Sequence, residues 1–121
     1  MTLIVSAHWL DPATGEGKSF TDWEDGHQMA GVERARQTLW GSEAVRRRGA
    51  KFLPQLAESD LWVAPEDVEA FATEVRDLLA DLECLRAELD RGPDCLLPHY
   101  LENFLRAADY ARSKGGCVSI T

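Results

Sequence analysis

From Val68 onward, seven apolar residues (Val68, Phe71, Val75, Leu78, Leu82, Leu85 and Leu89) recur at alternating spacings of three and four. That spacing is the signature of an α-helix with a single apolar face. Ala64-Pro65-Glu66-Asp67 precedes it, with a proline at the first helical position and two acids where the helix dipole favours negative charge. Arg91 and Gly92-Pro93 follow, a cation and a glycine where a helix ends. The pattern predicts a helix over about 66–91, on the order of 39 Å long at ~1.5 Å per residue. Burying its stripe contributes roughly 10–20 kcal/mol before conformational entropy is subtracted, so this helix must lie along the core.

The other segments are shorter. Leu3, Val5, Ala7 and Trp9 alternate onto one face of a strand. Asp11-Pro12-Ala13-Thr14-Gly15-Glu16-Gly17 has turn chemistry, and a return strand from Lys18 to about Glu24 completes a hairpin. Met29, Val32, Ala35 (or Arg36), Leu39 and Trp40 predict a helix from about Gln28 to Trp40, against the cost of Gly31 in its interior. Ser42 can cap a short helix through Arg48 that ends at Gly49. Residues 52–63, interrupted by Pro54, read as a buried irregular connector. A last helix spans about Leu97–Lys114, is stopped by Gly115-Gly116, and leads into the β-branched strand Cys117–Thr121. The expected fold is therefore one α+β domain over residues 1–121. Its hairpin and C-terminal strand form a small antiparallel sheet, packed on one face by three or four helices.

Charge narrows the function. The chain has 13 Lys and Arg against 21 Asp and Glu, a net charge of −8. An excess of acids argues against nucleic acid as a partner, since phosphate-backbone binding is carried by cations. No apolar run reaches the ~20 residues of a membrane helix, and the N-terminus lacks the basic stretch of a secretory signal. Three cysteines (Cys84, Cys95 and Cys117) without a CxxC pair fit neither a disulfide framework nor a zinc site. Reduced thiols in the cytoplasm are the expectation, with no cofactor and no metal.

Catalytic constellations are sparse. His8, His27 and His99 occur in no metal-binding motif, and neither a nucleophile elbow nor a phosphate loop is present. Asp22, Glu24, Asp25 and His27 could form an acid/base cluster after the second strand, but a polar loop whose aspartates cap the next helix is the better reading. No catalytic residue is assigned. Arg46, Arg47, Arg48 and Lys51 form the one cationic cluster, without the interleaved aromatics of an RNA platform.

The charge is unevenly placed, because residues 58–90 hold eleven acids against two bases while residues 29–57 hold two against six. Asp67, Glu74, Asp77, Asp81 and Glu88 share one stripe beside the apolar face of the long helix. Glu74, Asp77 and Asp81 have no cation three or four residues on, which leaves them without helical ion pairs. Two readings stand: a docking surface for a basic partner, or a face solvated or met internally by Arg46–Lys51. Trp23 and Tyr100 are candidate anchoring aromatics for such a partner, or else members of the core.

The closing segment, continuous from Tyr100 to Ile120 and including Lys114-Gly115-Gly116-Cys117, resembles the helix–Gly-Gly–strand ending of small bacterial immunity proteins of polymorphic toxin systems. Size, acidity and the hairpin-then-helices order are similar as well. The resemblance covers about the last quarter of the chain and transfers no individual functional residue. It implies a non-enzymatic inhibitor that covers a toxin's active site, often with an acidic face. The expected function is thus a cytoplasmic binding protein for a basic toxin or enzyme. The alternatives are a homo-oligomeric assembly module, such as a homodimer built on the long helix, and a small enzyme using residues 22–27.

Overall fold

The computed structural model describes residues 2–10, 13–20, 29–89 and 96–121. The order is β1 (Thr2–Leu10), β2 (Gly17–Phe20), β3 (Met29–Val32), α1 (Glu43–Arg46), β4 (Leu61–Val63), α2 (Val68–Ala80), α3 (Leu82–Glu88), α4 (Leu97–Lys114) and β5 (Cys117–Ile120). The class is α+β, as the sequence predicts.

All pairings in the sheet are antiparallel, and its path runs β2-β1-β5-β4, with β3 also on β1. β1 is central because it is long enough to serve three partners. Its Ala7–Leu10 half pairs with β2, its Thr2–Ile4 end with β3, and Val5–His8 with β5 on the opposite edge. The expected hairpin and C-terminal strand are present, and the sheet is larger than they alone would make it.

Alternation then divides the faces. Leu3, Val5, Ala7, Leu61, Val63, Val118 and Ile120 are buried against the helices. Ile4, Ser6, His8, Leu10, Trp62, Cys117 and Ser119 lie on the other face. α4 packs on β1, β3 and β5, and α2 packs on α4, which makes a second helical layer. Phe71 meets Phe104 at 6.1 Å between ring centres, and Trp40 meets Phe104 at 5.0 Å. The apolar stripe of the long helix is therefore covered within the chain. No helix among the described residues is long and apolar enough to cross a membrane.

Three expectations are corrected. Met29–Val32 is a strand rather than the start of a helix, and Arg36–Trp40 is one wide turn with π-type hydrogen bonding. Gly31, at φ +114°, takes a backbone conformation that a helix does not use. Asn103, fully buried on α4, donates to the Met29 carbonyl at 2.8 Å, and buried Trp40 donates to that of Ala30 at 2.9 Å. Those bonds tie β3 to α4 and to the turn Arg36–Trp40. The connector 52–63 is not irregular throughout, since it contains a 3-10 helix (Leu53–Ala57) and β4. Finally, the 66–91 helix is not continuous. A 3-10 turn (Pro65–Asp67) opens it, and it breaks at Asp81, whose φ and ψ are −110° and 26°.

Candidate functional site

The acidic stripe is largely occupied by the protein itself. Glu74 reaches from α2 to the start of the 3-10 helix Leu53–Ala57. There its carboxylate accepts the backbone N–H groups of Lys51, Phe52 (3.0 Å) and Leu53 (2.9 Å). A helix start leaves such donors without intrahelical partners, and this one has no cap from its own chain segment. Asp81 accepts Arg48 Nε at 2.7 Å. Glu88 accepts Arg48 at 3.0 Å and Arg47 at 2.6 Å. The hydrogen bond from Arg48, then the attraction of Arg47, holds the Glu88 carboxyl below its usual range.

Arg48 is the organising cation, since it also donates to the Ala44 carbonyl at 2.7 Å. Arg46 turns instead to the Gly41 carbonyl. Of the five stripe residues, Asp67 and Asp77 are left exposed and make no ion pair among the described residues. Glu74, Asp81 and Glu88 are thus engaged within the chain, the last two by cations 33 to 41 residues away in sequence.

Tyr100 is half-buried against Trp40 (6.4 Å between rings) and His99, and lines a hollow with Gly31, Val32 and Thr38. It belongs to the margin of the core. Trp23 and the cluster Asp22, Glu24, Asp25 and His27 lie outside the described residues, as does Cys95. Cys84 and Cys117 are free thiols. Among the described residues, no group of three or more His, Cys, Asp or Glu side chains could hold a metal ion.

What the sequence did not single out is the outer face of the sheet. Trp62 is 62% exposed there, Leu10 71% and Ile4 43%. Trp62 stands opposite Ser119 in the register, and its ring centre is 5.4 Å from that of His8. Between them Ser119 is buried, with its hydroxyl 2.7 Å from His8 Nε2. Burial holds the His8 pKa below its ordinary value and pushes the Cys117 thiol up. Burial thus disfavours the charged forms of both groups, and the described residues of this face expose aromatic and aliphatic area. A hollow of about 310 Å³ at its end is lined by residues that include His8, Leu10, Pro65, Gly116, Cys117 and one cation, Lys114. Pro65 places the acidic pair Glu66-Asp67 next to that hollow. Neither Glu66 nor Asp67 forms an ion pair among the described residues.

Comparison with protein-family models, with curated proteins and with solved structures finds no match for this chain.

Proposed function

We propose that this chain is a non-enzymatic protein-binding domain whose partner is basic, an inhibitor of a toxin or enzyme in the manner of the bacterial immunity proteins that its last helix and strand resemble. One observation carries the reading. Trp62, 62% exposed, sits in the middle of Glu58–Asp67, a ten-residue segment with four acids and no Lys or Arg. An exposed tryptophan with an acidic rim is suited to anchor a partner while complementary charge accelerates the encounter. The docking surface in this reading centres on Trp62, Glu66 and Asp67, with Asp77 further along α2, rather than on the whole helical stripe. Free thiols at Cys84 and Cys117 favour a reducing compartment, the cytoplasm.

The test compares the wild-type chain with Trp62→Ala and with Glu66→Lys/Asp67→Lys as baits for proteins of a native lysate, eluted by salt. A basic protein held by the wild type, released as salt rises and lost by both variants is the expected result. Retention that neither variant changes overturns the reading.

A further inference from the structure

An edge strand pairs only half of its backbone groups, and ladder phase decides which half stays free. Ile4 and Thr121 exchange both backbone bonds, at 2.9 and 3.0 Å. In the register Ser6↔Ser119 and His8↔Cys117, the odd-numbered residues of β5 therefore bond to β1. Val118 and Ile120 turn the other way, to Val63 and Leu61 of β4. That leaves Trp62, whose N–H and C=O point out of the sheet edge. No group among the described residues bonds them.

We propose that the free edge of β4 receives an extended basic segment of the partner, which adds to the sheet as a further strand opposite Trp62. The proposal rests on the reading of a basic protein partner and names how that partner is held. Strand addition uses main-chain bonds for attachment and alternate side chains for selection. The residue opposite Trp62 in such a pair projects to the same face, at about 5.5 Å between Cα atoms. A Lys or Arg there lies within the ~6 Å over which an indole face attracts a cation.

Charge selects the same occupant. Glu58 and Asp60 precede β4, and Glu66 and Asp67 follow it. Asp60 already pairs with Arg36 at 2.5 Å, whereas Glu58, Glu66 and Asp67 have no ion pair among the described residues. β4 is only three residues long, so the backbone bonds need this electrostatic support to hold a peptide. A neutral or acidic strand lacks that support.

The probe is a capped peptide of alternating lysine and valine, offered at low ionic strength to the full chain and followed by amide NMR. Two more peptides of identical charge carry backbone N-methyl groups on either the lysines or the valines. With lysine opposite Trp62, the lysine N–H groups face β4 and the valine N–H groups face away. The parent and valine-methylated peptides are expected to bind alike, to shift the Trp62 amide and to slow its hydrogen exchange. The lysine-methylated peptide is expected to bind at least tenfold more weakly. Equal binding of all three overturns strand addition, because charge alone then suffices, and leaves the basic-partner reading intact. Binding by none of them overturns the β4 edge as a docking site, while the reading itself stands or falls with the charge-reversed baits.

Discussion

Arg48 donates through Nε to Asp81 at 2.7 Å, at the residue where the helix that begins at Val68 is broken. The same guanidinium reaches Glu88 on α3 and the Ala44 carbonyl on α1, and its side chain is only 14% exposed. One cation thus ties α1 to the helix break and to α3 beyond it. Two acids of the sequence stripe, Asp81 and Glu88, are in the fold the far side of this clamp.

Replacing Arg48 by methionine keeps most of the apolar stem and removes the clamp. The expected destabilisation is about 1–3 kcal/mol, because several charge-assisted bonds go at once from a mostly buried group. Asp77→Asn, at an exposed site without an ion pair, is expected to change stability by less than about 0.5 kcal/mol. Urea unfolding of both variants measures the contrast. Equal stabilities would mean that the clamp contributes nothing.

Glu74→Ala removes the acceptor for the N–H groups of Lys51, Phe52 and Leu53. A cost of about 1–2 kcal/mol is expected, the range of a lost helix cap. Glu74→Gln should lose most of that too, since its amide offers one oxygen and turns a donor toward donors. Hydrogen exchange at Phe52 and Leu53 should accelerate in both variants.

His8 gives stability a pH dependence of defined sign. Burial holds its folded-state pKa below the ordinary 6.5, so the unfolded chain takes up the proton first as pH falls. Its contribution is complete above about 6.5 and is lost between that value and the lowered folded one. An NMR titration should place the His8 transition below 6.5, and His8→Gln should flatten this part of the stability profile. A titration at or above 6.5 would contradict the burial argument.

Gly116→Ala should be among the most damaging single-methyl changes in the chain. A Cβ there would lie 2.0 Å from the His8 carbonyl oxygen, which is backbone held in the β1–β5 ladder. More than about 3 kcal/mol, or failure to fold, is expected from a clash that no side-chain rotation relieves. Gly17→Ala is the control, because nothing stands within 4 Å of its added methyl and its φ is ordinary. Thermal unfolding distinguishes the two.

Periodicity made α2, α3, α4, β1 and β5 legible, because each has one face on the core and the apolar spacing reports which face that is. It could not report the break at Asp81, since the three-four spacing runs straight through it. Nor could it separate strand from helix at Met29–Val32, where five residues at helical spacing from Met29 to Trp40 competed with one glycine. There the Asn103 and Trp40 bonds to the β3 carbonyls decide, and Asn103 comes from 74 residues along the chain.

The acidic stripe itself was readable, as was the cationic cluster at Arg46–Lys51. Which acid meets which cation was not, because helical spacing describes neighbours along one element only. Asp81, Glu88 and Glu74 found their partners across the fold, whereas Asp67 and Asp77 did not.

By itself, then, the sequence determined the α+β class, the principal helices, the hairpin with its C-terminal strand, and the acidic balance. The tertiary structure alone decided which charges are spent internally and that Trp62 faces outward. Leu61-Trp62-Val63 is apolar at every position, so no alternation of polarity marks its faces. Pairing with β5 imposes that alternation: it turns Leu61 and Val63 into the core and leaves Trp62 at the surface.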